Sequence, residues 1–278
     1  SPRGQPITGT IELDKVRVLD GTMTNVVGRF RRTGPLFTLE DVRGEMYGGH
    51  VDASFSGAND LLFFTATARA TGVDVARLCR ETGLTDQRVW GDLEASIHLN
   101  GERVNNPVGG LAWQLSGGGA IDIDRANLGR TPLVKSIFDY KTFLLAEESV
   151  VERARVEFEI DSTRMFVEKL ILSGPALSTR GVGWVNHGDD MELDLYFYRK
   201  GRGSLLPNLP LVDLVGKGLN WAVDQIQNEL VVVHVTGTLK EPKVSSAALK
   251  DLGDRFRRYV VFNLWEEEKG EAEGSSPE

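Results

Sequence analysis

Residues 154–161 alternate without a break, with Ala154, Val156, Phe158 and Ile160 on one side and Arg155, Glu157, Glu159 and Asp161 on the other. Residues 191–198 repeat the pattern, setting Met191, Leu193, Leu195 and Phe197 against Glu192, Asp194, Tyr196 and Tyr198. Period two with this segregation predicts strands that have one dry face and one wet face. Weaker alternation at 10–18, 49–56, 62–70, 92–99, 110–123 and 168–173 predicts further strands of the same kind. Residues 230–238 are almost continuously apolar, which predicts a strand covered on both faces. Between these runs lie many of the 31 glycines. That texture predicts a meandering antiparallel sheet.

Four segments follow a helical period instead. Residues 74–81 form a short one, entered at Val73-Asp74 and stopped by Gly83. Residues 132–140 follow Thr131, an N-cap residue, with Pro132 at the first helical position. Residues 210–229 space Leu211, Leu214, Val215, Leu219, Ala222, Val223 and Ile226 at three and four residues. The last helix is predicted over 247–265, capped by Ser245-Ser246. On it Phe256, Tyr259, Val260, Phe262 and Trp265 lie on a broad apolar arc flanked by Arg255, Arg257 and Arg258. Two readings of this arc are open. It is either a helix that closes the end of the sheet beneath snorkelling arginine stems, or an interfacial helix that docks on a membrane or a protein partner. The glutamates at 266–268 oppose strong attraction to anionic lipid.

Composition narrows the function classes. The chain has 278 residues and a net charge of −8. An acidic chain with no dense basic stripe is a poor nucleic-acid ligand, because that affinity comes largely from neutralised phosphates. Much of the acidity sits in the tail at residues 266–273, and that tail, ending in Gly-Ser-Ser-Pro-Glu, is read as disordered. The single cysteine, Cys79, excludes an intrachain disulfide. No run approaches the roughly 18–20 apolar residues of a membrane-spanning helix. The region is therefore expected to be soluble or peripheral, and with a first residue other than Met it is expected to be excised from a longer chain.

Catalytic signatures are missing: there is no Gly-x-Ser-x-Gly elbow, no His-Glu-x-x-His and no Walker loop. His50, His98, His187 and His234 lie far apart in unlike contexts, so no metal site is assigned. His234 is read as a satisfied sheet residue. Gly117-Gly118-Gly119 lacks the lysine and helix start of a phosphate loop and is read as a bend or bulge in a curved sheet. Asp122 and Asp124 are read as outward strand carboxylates rather than the opening of a calcium loop. Cys79 is read as a small buried hydrophobe. No catalytic residue and no cofactor is assigned, and the chain is expected not to be an enzyme.

An ordered string of motifs resembles the AsmA-like family. It begins with Gly72-Val73-Asp74-Val75-Ala76-Arg77-Leu78 and Trp90-Gly91-Asp92-Leu93. Leu115-Ser116-Gly117-Gly118-Gly119-Ala120-Ile121-Asp122-Ile123 leads on to Leu128 and Pro132-Leu133. Then come Phe158 with Asp161, Leu172-Ser173-Gly174-Pro175-Ala176-Leu177 and Gly181-Val182-Gly183. The string closes with Val235-Thr236-Gly237-Thr238-Leu239-Lys240-Glu241-Pro242, so the resemblance spans roughly residues 40–245. It departs from the family in lacking the long N-terminal strand repeats and membrane anchor of full-length members. The Trp265 helix and acidic tail have no counterpart in the family pattern.

The resemblance implies a mainly β fold: a long curved antiparallel sheet forming an apolar trough, the β-taco, with a few short helices. The chain is read as a trough domain over 1–244, followed by an amphipathic helix over 245–266 and a disordered acidic tail over 267–278. The resemblance further implies a non-catalytic lipid-transfer module of the bacterial envelope, periplasmic and anchored to the inner membrane, serving outer-membrane biogenesis. The expected ligand is phospholipid, with acyl chains lying along Val156, Phe158, Ile160, Met191, Leu193, Leu195 and Phe197. Peripheral membrane contact or an envelope protein partner falls to the terminal helix. The competing reading from strand pattern alone is a structural or interaction domain whose apolar faces form a closed core.

Overall fold

The computed structural model of the chain describes residues 6–18, 21–58, 62–84, 89–105, 111–128, 131–134, 136, 151–174, 177–186, 188–199 and 231–247. The described chain is mainly β, a single antiparallel sheet of 13 strands whose spatial order is the sequence order. At about 4.8 Å per strand the sheet extends roughly 58 Å across its strands.

The strands are β1 (Ile7–Val18), β2 (Gly21–Thr33), β3 (Leu36–Met46), β4 (Gly49–Ala58), β5 (Phe63–Asp74), β6 (Trp90–Asn105) and β7 (Leu111–Asn127). After them come β8 (Arg153–Asp161), β9 (Arg164–Ser173), β10 (Leu177–Asn186), β11 (Asp190–Arg199), β12 (Val231–Thr238) and β13 (Pro242–Ala247). The two clearest alternating runs are β8 and β11, and each weaker run also lies in a strand. Strands β2, β3, β10 and β13 are additional to those the alternation predicts.

Helix α1 (Val75–Glu81) forms where expected. The Asp74 carboxylate caps it, accepting from the backbone N–H of Ala76 at 2.8 Å and of Arg77 at 3.2 Å. Gly83, at φ +66°, follows the end of the helix in the left-handed conformation. Residues 132–134 of the second expected helix are helical. The expected helix over 210–229 lies outside the described residues, as does the terminal arc with Phe256, Tyr259, Val260, Phe262 and Trp265. The cap assigned to Ser245-Ser246 is corrected: both serines are strand residues of β13, paired with His234 and Val233. Their backbone groups complete a ladder instead of opening a helix.

Bulges bend the sheet at fixed places. Register slips between Thr24 and Val27 in β2 and between Leu39 and Val42 in β3. Asn25 and Asp41 take φ values of +54° and +50° at these slips. Asn and Asp tolerate that conformation better than other residues with a β-carbon. Gly72, at φ +64°, marks a third slip between Ala70 and Val73. An extra residue in one strand kinks it and increases the local twist, which curves a long sheet.

The alternation of hairpins divides the connections between two rims. The long ones, through α1, residues 128–152 and residues 200–230, all leave from one rim. The other rim carries the links between β2 and β3, β4 and β5, β6 and β7, β8 and β9, β10 and β11, and β12 and β13, all short. It is called the hairpin rim below.

Candidate functional site

Cross-strand register assembles the apolar positions into continuous rows. One row runs Val233, Leu195, Gly181, Leu170, Val156, Ile121, Ala95, Ala70, Val51 and Gly44. The next runs Val235, Leu193, Gly183, Val167, Phe158, Gly119, Ile97, Ala68, Ala53 and Val42. A third runs Met191, Val185, Met165, Ile160, Gly117, Leu99, Ala66, Phe55, Leu39 and Phe30. Every position in all three rows is apolar or glycine. One face of the sheet is therefore a continuous dry floor from β3 to β12.

The opposite face is wet. Arg43 pairs with Asp52 at 3.3 Å, Arg69 with Glu94 at 3.6 Å, and Arg155 with Asp122 at 3.7 Å and Glu157 at 2.9 Å. Arg153 bonds Asp124. Asp122 and Asp124 are thus the outward strand carboxylates that the alternation predicts. These pairs are solvent-exposed, each worth at most about 1 kcal/mol, and they act mainly to keep this face hydrated. His234 sits among them, its Nδ1 lying 2.8 Å from Asp194 Oδ1. It is a satisfied sheet residue, as expected.

Burial along the apolar floor is uneven. In β11 and β12, Leu195 and Val235 are 0% exposed, Val233 1% and Met191 2%. Val167, Leu170 and Leu172 of β9 and Phe158 of β8 are also buried. Over β4 to β6 the same rows are only half-buried at Val51, Ala53, Ala66, Ala68, Ala70, Ala95 and Leu99, and Ile97 is exposed. Burial also rises toward the rim of long connections, where α1 places Val75 and Cys79 in one cluster with Tyr47, Val73, Leu93, Leu128 and Val151. The floor is closed toward that rim and toward β12. It is open over β3 to β7 toward the hairpin rim.

Side-chain size explains the difference. Ala53, Ala66, Ala68, Ala70 and Ala95 rise little above the floor, whereas β8 to β12 carry Phe, Leu, Met and Val. Larger side chains lie flat across glycines of the adjoining strand. A β-carbon at Gly119 would stand 2.8 Å from the Phe158 ring and one at Gly183 would stand 2.9 Å from Leu193. Phe30 covers Gly9, Phe64 covers Gly101 and Leu195 covers Gly181 in the same way. Each glycine lets a large neighbour recline instead of standing into the trough. The glycines at 117–119 make no bulge, because β7 stays in register with both β6 and β8. They permit close backbone approach: a β-carbon at Gly117 or Gly119 would overlap the carbonyl oxygen of His98 or Ser96.

Of the expected lining residues, Val156, Phe158, Ile160, Met191, Leu193 and Leu195 do fall in the three rows. Phe158, Met191, Leu193 and Leu195 are buried, while Val156 and Ile160 are half-buried. Phe197 is a strand residue opposite Thr179 and Val231, and its side chain lies outside the described residues. The accessible floor is made by residues that alternation marks only weakly. Thr65-Ala66-Thr67-Ala68-Arg69-Ala70 is a strict alternation of small apolar and polar residues, and that was its signal.

An open hollow of about 420 Å³ over β3 to β6 is lined mainly by wet-face residues, among them Arg43, Asp52, Ser54, Thr67, Arg69 and His98, with the strand positions of Val42, Ala53, Ala68 and Ile97 between them. The acid–base groups there have ion-pair partners or solvent, with no pair of carboxylates held in unlike environments. Among the described residues no three His, Cys, Asp or Glu side chains converge as metal ligands. Cys79 is buried, and desolvation raises its thiol pKa, which disfavours the nucleophilic thiolate. Compared with family models, curated proteins and solved structures, the chain matches none.

Proposed function

We propose that this chain is the β-rich, AsmA-like part of an envelope protein and that it holds or passes phospholipid along its trough without catalysing a reaction. The observation that carries this reading is the unbroken apolar floor across β3 to β12, left open over the alanine-lined strands β4 to β6. Apolar area removed from water is worth about 25 cal/mol per Å², and an acyl chain on this floor would remove it without polar recognition. Rows with no polar interruption offer similar affinity from strand to strand, which favours sliding over fixed binding. A wet outer face holds the sheet in solution while the floor is occupied. The periplasmic setting and the role in outer-membrane biogenesis belong to the same proposal.

The site is proposed at Val51, Ala53, Ala66, Ala68, Ala95 and Ile97, continuing past Val156 and Ile160 toward the buried end. The buried cluster at Leu195, Val233 and Val235 is what a structural domain would build, and it gives the trough a rigid end.

The test is mass spectrometry of the organic extract, with native mass spectrometry of the same protein. Stoichiometric phospholipid is expected, and Ala68→Trp, which fills the floor while keeping it apolar, is expected to remove most of it from a folded protein. A well-folded wild-type chain with no lipid would sink this reading in favour of an interaction domain.

A further inference from the structure

The hairpin rim of β1 to β7 departs from the segregation of apolar and polar faces that most of the sheet keeps. Elsewhere most large apolar side chains keep to the dry floor, with Phe166, Ile171 and Trp184 of β9 and β10 on the wet face. At this rim they are exposed on both faces. Phe63 and Leu36 carry the alternation of the wet face and are 49% and 45% exposed. Ile7, Leu62 and Trp113 stand with the floor residues or at the hairpin tip and are 60%, 46% and 39% exposed. Phe63 and Leu36 are large and exposed on the hydrated face, so they contribute little to the core and leave an apolar surface at this rim.

The charge at this rim opposes that of the chain. Among the described residues 6–8, 31–38, 56–58, 62–65, 101–105 and 111–114 of this rim, Arg31, Arg32 and Arg103 stand against one carboxylate, Glu102, and the link between β4 and β5 adds Asp60. The chain as a whole carries −8. Arg103 lies 5.8 Å from the Trp113 ring centroid. Farther along the rim Arg164 lies 4.9 Å from the Trp184 ring and 5.5 Å from the exposed Phe166 ring. Aromatic rings beside arginines suit the headgroup region, where rings enter the acyl boundary and guanidinium groups reach phosphates.

We propose that this hairpin rim docks on a phospholipid bilayer containing anionic lipid, with Leu36, Leu62, Phe63 and Trp113 immersed and Arg31, Arg32 and Arg103 on the headgroups. The surface lies beside the open part of the floor, so docking would set the trough sideways on the membrane. The docking itself does not depend on whether the trough carries lipid.

Vesicle flotation of the whole chain tests it, with mixed phosphatidylcholine–phosphatidylglycerol vesicles and with phosphatidylcholine alone. Binding to the mixed vesicles that weakens with salt is expected. Leu36→Ser with Phe63→Ser should weaken it roughly tenfold, since two partly immersed side chains are lost. Arg31→Gln with Arg32→Gln and Arg103→Gln should abolish the preference for anionic lipid. Trp90→Ser, an exposed residue away from this rim, should leave binding unchanged. Circular dichroism confirms that each variant is folded. Failure of the wild type to float would overturn the proposal. So would binding that survives both sets of rim substitutions, or that is lost with Trp265→Ser instead. Floor variants such as Ala68→Trp should still float, which separates this result from loss of lipid cargo.

Discussion

Phe64 of β5 meets Trp113 of β7 edge-on, with ring centroids 5.2 Å apart and planes at 66°. The ring crosses an entire strand to do so, lying over Gly101 of β6. Phe55 of β4 stacks on its other side, with centroids 5.8 Å apart and planes at 17°. One glycine thus lets aromatic side chains from three strands form a flat strip beside the open floor.

Glycines with different neighbours should respond differently to a methyl group. At Gly101 the obstacle is the Phe64 ring, which can move. At Gly119 it is the Ser96 carbonyl, which belongs to the sheet backbone. Gly119→Ala is expected to cost about 1–3 kcal/mol and Gly101→Ala less, with a change in tryptophan fluorescence in the second case. Urea unfolding midpoints decide it, and equal costs would count against the backbone argument.

The gradient of burial predicts a gradient of mutational cost. Leu195→Ala, at a fully buried position, is expected to destabilise by about 2–5 kcal/mol. Ile97→Ala, in the neighbouring row but exposed, should cost under about 1 kcal/mol. Leu195→Glu should unfold the chain, whereas Ala68→Glu should leave it folded with reduced lipid occupancy. Thermal unfolding of the four variants is the measurement.

Cys79 should be chemically silent in the folded protein. Burial raises its pKa, so little thiolate is present near neutral pH and reagents cannot reach it. Labelling by a thiol-reactive dye should be slow at pH 8 and become rapid once denaturant opens α1. Fast labelling without denaturant would place the thiol outside the cluster assigned to it.

The turn between β8 and β9 carries a pH dependence of known sign. The Asp161 carboxylate accepts from the Thr163 hydroxyl and backbone N–H, both at 2.7 Å, and from the Arg164 N–H at 3.0 Å. These bonds, the Thr163 hydroxyl first, hold its pKa below the ordinary 3.8. A lowered value means that the turn is supported above the ordinary value and loses that support as pH falls through the folded one. Carboxyl NMR titration should show Asp161 titrating below other carboxylates, and Thr163→Val should raise it.

Where alternation is uninterrupted, the sequence is a direct record of the sheet, as at β8 and β11. Strands β2 and β3 escape it for a physical reason. In β2 the apolar parity is even at Val26, Gly28 and Phe30 but odd at Met23, and the switch occurs at the bulge around Asn25. In β3 it passes from Phe37 and Leu39 to Val42, Gly44 and Met46 across Asp41. A period-two template slips by one at each bulge and sees noise. Strand β10 hides because its floor positions include Gly181 and Gly183, which carry no hydropathy. The accessible floor was faint because alanine contributes little hydropathy, and absence of bulk is what keeps it open. The hairpin rim is not legible in sequence at all, since only the register shows that residues as distant as Ile7 and Trp113 share one edge.

Because spatial order equals chain order, each strand of this sheet pairs only with its sequence neighbours. No early strand waits for a distant partner, so loop closure costs little and folding can advance one hairpin at a time. Such a molecule behaves like a linear array, in which cooperativity extends only as far as neighbouring contacts carry it. The least exposed floor residues, Met191, Leu195, Val233 and Val235, lie in β11 and β12, which emerge after the open strands β3 to β7. A nascent chain would therefore hold its β1 to β7 hairpins as a loosely ordered ribbon until the later strands β8 to β13 pair behind them.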